Sequence, residues 1–427
     1  MIWMLLIAAL VAMLLGAPFF ALIAGLTLVL LSLDGTDAGA FVINFAQLGE
    51  KQELVAVPLF ALAGYLLGES RTPQRLVRLS RALFGWMPGG LAIVALIACA
   101  LFTALTGASG VTIVALGAVL YPALISARYS QPFALGLVTS SGSLGMLFAP
   151  ALPLIIYAVV VQQLPLPVPV SLDDLFRAGL LPGLFLIAVL SIWAIWQAPP
   201  RTAEEKRIDP REIVAALKDT AWELPLPFVV LGAIYSGRIA ASEAAALTAI
   251  YVLVVLTIIR REVPFGSLTR IIREAMVLVG AILTILGVAL ALTDYLILAD
   301  VPGQLFTFVN AHIDSRWVFL LVLNFILLIF GMLLEGFPAI VILTPLILPI
   351  ALQFGVDPVH FGILFLANLQ IGLFLPPLGM NLFIASYRFG LPVQQVIRAT
   401  LPFFVLMLLA TLVITYVPWL SLVLLER

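Results

Sequence analysis

Leu101 to Ala158 reads LFTALTGASGVTIVALGAVLYPALISARYSQPFALGLVTSSGSLGMLFAPALPLIIYA, and Ile329 to Ser386 reads IFGMLLEGFPAIVILTPLILPIALQFGVDPVHFGILFLANLQIGLFLPPLGMNLFIAS. The second stretch repeats the first. Phe102 matches Phe330, Pro122 matches Pro349 and Pro132 matches Pro358. Gly136 then matches Gly362, Gly145 matches Gly372 and Pro150 matches Pro376, at an offset between 226 and 228 throughout. Each copy is an apolar run, a small-residue or polar tip (GASG; EGFP), a second apolar run and a short polar turn. An apolar segment interrupted by Gly, Ser, Asn and Pro closes it. In hydrocarbon every backbone polar group needs an internal partner, so an apolar segment defaults to an unbroken helix. Interruptions at matching places in two halves therefore point to a binding site near the bilayer midplane, built from half-helix ends and free carbonyls.

Composition sets the class. The 427-residue chain is 63% apolar and 10% charged, with a mean hydropathy of +1.21. Runs long enough to cross a core of roughly 30 Å recur along it. The runs are continuous rather than alternating, which excludes a barrel. The fold expected is an all-α polytopic membrane protein. A net charge of −1 gives no reason to expect a nucleic-acid partner. The single Cys99 sits in an apolar run and reads as core, and His312 and His360 are too far apart for a metal cluster. The N-terminus lacks a basic region ahead of its apolar run, so no cleavable signal is expected.

Read in order, Met1 to Leu33 is apolar with a break at Gly16-Ala17-Pro18, and a polar loop with Asp34, Asp37, Glu50 and Lys51 follows. Leu54 to Leu67 is the next span. In ESRTPQRLVRLSRALFGWMP, Arg71, Arg75, Arg78 and Arg81 recur at three- and four-residue spacing, with Leu76, Leu79, Leu83 and Trp86 between them. That is the pattern of a basic amphipathic arm at the membrane interface, its arginines meeting lipid phosphates. Polar residues from Gln197 to Asp219 read as the linker between halves. Arg260 to Glu274 reads as a second amphipathic piece, the counterpart of the first. The expected organisation is scaffold helices and arm over 1–88 and a first transport repeat over 89–163. Scaffold, linker and second arm follow over 164–275, connecting helices over 276–315, a second transport repeat over 316–388 and a C-terminal helix over 389–427. With the Arg71–Arg81 stretch in the cytoplasm and each pair of arms returning to its own side, 16 of the 21 Lys and Arg residues lie inside. The same count makes one hairpin enter from each side, an inverted repeat that supports alternating access.

The tips carry the candidate chemistry. Thr106-Gly107-Ala108-Ser109-Gly110 combines sharp-turning glycines with hydroxyl oxygens, and Ser140-Ser141-Gly142-Ser143-Leu144-Gly145 faces it with the same groups. Oxygen ligands of this kind suit a hard cation such as sodium. The start of the outgoing arm at Gly110 brings positive helix dipole toward a carboxylate. In the second half, Glu335 is an ionisable residue between apolar runs, functional by default in a membrane. The facing break holds Asn368, Gln370, Gly372, Pro376, Pro377, Gly379 and Asn381, whose prolines leave carbonyls free. The residues expected to touch substrate are Thr106, Ser109, Ser140, Ser143, Glu335 and Asn381.

The motifs GSLGMLFAPALPLIIYA, GMLLEGFPAI, LTPLILPIA, GVDPVHFGI and NLQIGLFLPPLGMNLF resemble the large membrane (DctM-type) subunit of TRAP, the tripartite ATP-independent periplasmic transporters, over essentially the full length. The resemblance implies an elevator-type sodium symporter for carboxylates in the bacterial inner membrane, with two re-entrant hairpins and two broken helices. It implies a small four-helix membrane subunit, a periplasmic substrate-binding protein, and sodium as the coupling ion. Carried over, Gly107, Ser109, Ser141, Gly142, Ser143 and Gly145 correspond to one sodium site. Gly331, Gly336, Gly372, Leu375 and Gly379 correspond to the other, mainly through carbonyls. Glu335 stands where the family usually has Asp. Ala149-Pro150-Ala151 replaces the family's Pro-Pro-Ser, and Leu375 replaces a Thr, so two side-chain hydroxyls are missing. Two further readings remain at this level: a carrier that needs no soluble partner, and an intramembrane enzyme, for which no nucleophile–base pair or metal cluster is visible.

Overall fold

Proline and glycine decide where each apolar run stops. A computed structural model gives the architecture and describes residue 12 and residues 17–35, 39–84, 86–166, 169–200, 209–235, 239–334 and 336–425. The Gly16 break therefore lies outside the described residues. After it come α1 (Phe19–Leu33), α2 (Gly39–Gln47), α3 (Ala56–Glu69) and α4 (Thr72–Phe84). Helix α2 occupies the stretch expected to be a polar loop. The first repeat is α5 (Gly90–Thr106), α6 (Ser109–Ala115), α7 (Gly117–Ser126), α8 (Gln131–Ser141), a 3₁₀ turn (Leu144–Leu147) and α9 (Leu152–Val161). Helices α10 (Leu172–Trp196), α11 (Pro210–Asp219), α12 (Pro225–Tyr235), α13 (Ala241–Val254), α14 (Phe265–Leu298) and α15 (Val301–Asn310) join the halves. The second repeat is α16 (Arg316–Leu333), α17 (Gly336–Gln353), α18 (Pro358–Gly372) and α19 (Met380–Phe389), and α20 (Val393–Tyr416) and α21 (Trp419–Leu422) end the chain. Among the described residues six helices are long and apolar enough to cross a membrane, or up to nine if each bent pair is one span.

Local chemistry sets the repeat boundaries the same way twice. Ser130 caps α8, accepting from the Phe133 N–H, with Pro132 in the first turn. Asp357 caps α18, accepting from the N–H groups of Val359 (2.8 Å) and His360 (3.2 Å), with Pro358 opening the helix. A capping oxygen followed by proline pre-sets a helix start. The halves then interlock crosswise: α6 packs on α19, and α9 packs on α17. Each half's post-break helix thus rests on the other half's outgoing arm, as a pseudo-two-fold axis requires. At the overlap Tyr157 Oη donates to the Pro358 carbonyl at 2.6 Å. Its ring lies over Gly362, where an added Cβ would sit 2.4 Å from Cε1.

Two expectations about the arms are corrected. First, the four arginines of the first arm, Arg71 and the three in α4, do not all face lipid headgroups. Arg75 is turned inward, 6% exposed, and its guanidinium pairs with Glu223, 3% exposed, and with Glu262. Arg78 pairs with Glu212 (2.8 Å) and Asp219 (3.2 Å) on the linker helix α11. Arg71 and Arg81 stay exposed. The spacing alone could not show this, because the carboxylates that claim Arg75 and Arg78 lie more than a hundred residues downstream. Second, Arg260 to Glu274 is not a separate interfacial piece. Residues from Phe265 onward open the 34-residue α14 without interruption, and Arg270 pairs with Glu69 at 2.8 Å and Glu274 at 3.3 Å.

Burial alone would raise the Glu262 carboxyl. Hydrogen bonds from Arg75 and the Arg71 N–H, with the charges of Arg75 and Arg260, outweigh it and hold the group below its usual 4.5. Arg78 does the same for the exposed Glu212. A depressed carboxyl stabilises the fold above its unfolded value, and that stability is lost as pH falls through the lower folded value. Removing one partner of a buried pair leaves an uncompensated charge, so Arg75→Ala is expected to cost about 3–5 kcal/mol. Thermal melting of the detergent-purified protein checks both statements. The melting temperature should fall as pH drops below 4.5, and Arg75→Ala should melt lower at neutral pH with a shallower acid-side loss.

Candidate functional site

The hairpin tips and helix breaks meet inside the protein. Helix α5 stops because Gly107 takes a left-handed φ of +69°, and Ala108 is extended. Leu152 of the post-break helix fills the space a side chain at Gly107 would need, its Cδ1 being 2.4 Å from an added Cβ. From there Ser109 Oγ donates to Asn381 Oδ1 at 2.8 Å, across 272 residues of sequence. Ser143 Oγ donates to the Gln370 carbonyl at 2.9 Å. These two bonds tie the first repeat's tip and break to the second repeat's break. Thr103, unforeseen in the sequence, binds the arms of hairpin 1 together: its hydroxyl lies 2.6 Å from that of Thr112 and donates to the Gly142 carbonyl at 2.8 Å.

Glycines let backbone touch backbone here. A Cβ on Gly372 would lie 2.5 Å from Gly331 C, and one on Gly145 would lie 2.4 Å from Ala100 O. At Gly379 it would lie 2.7 Å from Leu373 O, inside the turn that carries Leu375. Gly142 backs onto Ile113 at 2.6 Å, whereas Gly336 meets only Leu369 Cδ2 at 3.7 Å. On the scaffold side, Gly64 of α3 meets the tip backbone directly, with an added Cβ 2.5 Å from Thr106 Cα. The breaks carry cis Ala149-Pro150 and Pro376-Pro377 peptide bonds. The first break is buried nearly throughout, while Pro377 and Leu378 of the second reach the surface.

The residues expected to form the site separate into three groups. Ser109, Ser143 and Asn381 lie in the cross-repeat bonds, and Thr106 is fully buried beside them with its hydroxyl unpartnered. Ser140 and Ser141 donate back to their own helix, to Gly136 O at 2.8 Å and Val138 O at 3.5 Å. Glu335 lies outside the described residues. The outgoing arm also differs from expectation. It bends by 50° between α6 and α7, so α6 is only seven residues long and its dipole is short. Beyond the expected set, Gln370 is fully buried with neither end of its amide partnered, and the Thr344 hydroxyl of α17 is likewise unpartnered. The signal for Gln370 was present: it stands opposite Ser143 at the repeat offset, in a helix whose other polar side chains are His360 and Asn368.

Two interlocked hairpin-and-broken-helix repeats, with buried polar groups gathered where they cross, define a multi-span membrane protein of inverted-repeat architecture. The chain belongs to the family described as "Tripartite ATP-independent periplasmic transporter, DctM component", whose sequence profile matches residues 4–420. It is 34% identical over 401 residues to the C4-dicarboxylate TRAP transporter large permease protein DctM of Pseudomonas aeruginosa, covering 93% of this chain and 92% of that one. It is 33% identical over 367 residues to the isethionate TRAP transporter permease protein DctMQ of Oleidesulfovibrio alaskensis, covering 86% of this chain and 57% of the relative. The crystal structure of the Alcanivorax borkumensis YdaH transporter shares the fold, with a TM-score of 0.66 at 14% identity, over 94% of this chain and 97% of that one.

Ser109→Ala strands the Asn381 amide, and Gly372→Leu drives a side chain into Gly331. Both variants are expected to reach the membrane in normal amount and to take up substrate more slowly. Ser109→Ala should slow uptake by about tenfold, since one unmet buried polar group costs on the order of a tenfold factor. Gly372→Leu should slow it by at least as much, since its side chain must displace the Gly331 backbone. Quantified membrane protein beside initial uptake rates tests this, and undiminished uptake in both would remove the site.

Proposed function

We propose that this chain is the translocation subunit of a sodium-coupled importer of a small organic acid, working in the bacterial inner membrane by an elevator motion. Family membership supports the permease role. The observation that carries the coupling is the character of the groups at the crossing: Thr106, Ser109, Ser143, Gln370 and Asn381 are buried, neutral and rich in oxygens. An anion moved through lipid needs a counter-charge, and an isolated buried charge is costly. None of these five residues supplies a positive one, and hydroxyl and carbonyl oxygens are what a hard cation binds. Sodium bound beside the substrate would make the load neutral. The fitting arrangement is one ion at the first tip and break, through Gly107, Ser109, Ser141, Gly142, Ser143 and Gly145, and one at Gly331, Gly336, Gly372, Leu375 and Gly379.

A cleft of about 740 Å³ supports the motion. Tyr65, Gly68, Glu69 and Glu274 line it on one side, and Gly110, Val114, Ile384 and Tyr387 on the other. It separates α3 and α14 from the crossed repeats and reaches the residue next to Ser109. The names of the relatives support the assembly. TRAP systems are tripartite, and a small four-helix membrane subunit and a periplasmic substrate-binding protein are the proposed partners here. The lipid bilayer is the medium, and no catalytic step is assigned.

Reconstitution tests the reading. Proteoliposomes carrying the permease and its small subunit should accumulate a carboxylate only with the cognate binding protein outside and an inward sodium gradient. Equal uptake with potassium in place of sodium would sink the coupling. The motion has its own test. With the lone cysteine removed (Cys99→Ala), Gly68→Cys and Val111→Cys face each other across the boundary, an added Cβ at 68 lying 3.8 Å from Val111 Cγ1. Oxidation should arrest uptake and reductant should restore it, whereas full transport in the cross-linked protein would rule the motion out.

A further inference from the structure

We infer that Gln370 sets substrate choice at this site and that it selects organic acids bearing a hydroxyl group over their unsubstituted counterparts; this rests on the transport reading above. The Gln370 side chain is 0% exposed, and neither Nε2 nor Oε1 has a hydrogen-bond partner. In hydrocarbon-enclosed protein an amide cannot be left in that condition without a cost in free energy. Its place in the fold connects it to the site. The Gln370 carbonyl accepts from Ser143 Oγ at 2.9 Å. Three residues on, the Leu373 carbonyl accepts from the Asn381 N–H at 2.9 Å, and Asn381 Oδ1 accepts from Ser109 at 2.8 Å.

The unmatched atoms along this connected path are the Gln370 amide, Asn381 Nδ2 and, one turn before Ser109, Thr106 Oγ1. Their chemistry discriminates between ligands. The two amides offer N–H donors, which a carboxylate accepts. Gln370 Oε1 is an acceptor and needs a donor. A carboxylate carries none when ionised, so an unsubstituted acid leaves Oε1 unmet. A sodium ion on Oε1 leaves both N–H groups for the carboxylate, and equal affinity for the two members of each pair below is the result expected of that arrangement. A hydroxy acid meets both ends at once, its carboxylate accepting from the amide nitrogen and its hydroxyl donating to Oε1. Sites built to hydrogen-bond a hydroxyl reject analogues that lack it much more strongly than apolar pockets separate a methylene.

The test is binding to the full-length permease purified with its small subunit, in sodium, so that the soluble binding protein does not impose its own choice. The probes are pairs differing by one hydroxyl: malate against succinate, and lactate against propionate. Wild type should bind the hydroxylated member about tenfold or more tightly. Gln370→Met keeps length and removes both the donors and the carbonyl acceptor, and the ratio should then fall to within about twofold. A purely structural role would weaken both members together and leave the ratio in place, which would overturn the inference. Gln370→Asn withdraws the amide by one methylene and should also shrink the ratio, which keeps the test decisive where the Met variant folds poorly. Equal affinity of wild type for both members sinks the assignment of Gln370 alone. Binding of none of the acids, or binding indifferent to sodium, sinks the transport reading and the inference with it.

Discussion

A polar atom inside lipid has no water to turn to, and the rest of this structure follows from how that constraint is met at one place. Both repeats interrupt their helices, and each interruption exposes backbone and hydroxyl groups. They are brought together so that each supplies partners for the other. Ser109 reaches Asn381 and Ser143 reaches the Gln370 carbonyl. Thr103 gathers Thr112 and the Gly142 carbonyl within the first half. The breaks are tolerable because they coincide.

That meeting has to be held in register, and the two ends of the molecule do this differently. In the interior, glycine does it: Gly145 on Ala100 and Gly372 on Gly331 allow backbone contacts that side chains would separate. Toward the arm, charge does it. Arg75 is shared between Glu223 and Glu262, and Arg78 joins α4 to α11, so linker and arm are tied together. Neutral packing suits the crossing, because an isolated charge buried there would be costly.

Much of this was legible before any coordinates. The offset between the copies identified the repeats. The glycines and serines of the first tip and break are buried and lie where the two repeats cross. What was not legible is instructive for physical reasons. Amphipathic spacing reports which face of α4 is basic but not what that face meets, so Arg75 looked lipid-facing while its carboxylates waited in distant loops. Periodicity could not show that an amphipathic start runs unbroken into α14, since both halves have the same helical period. The bend inside the outgoing arm falls at Leu116, directly before Gly117 and ahead of Pro122, and a glycine in an apolar run reads equally as a site of close helix packing. Ser140 and Ser141 resembled ligands by type, yet a helical serine can satisfy itself on its own preceding turn, and these do.

One contact between the outer frame and the crossed repeats has a mechanical consequence. Where α3 passes the first tip, Gly64 presents bare backbone to the Thr106 backbone, with no side chain between them. Interdigitated side chains work as gear teeth, and an entire row must disengage before either surface can advance. A smooth patch has no teeth to lift. Under the proposed motion the tip can glide along α3 with little mechanical resistance at the level of the cargo, and a methyl group at position 64 would act as a brake shoe.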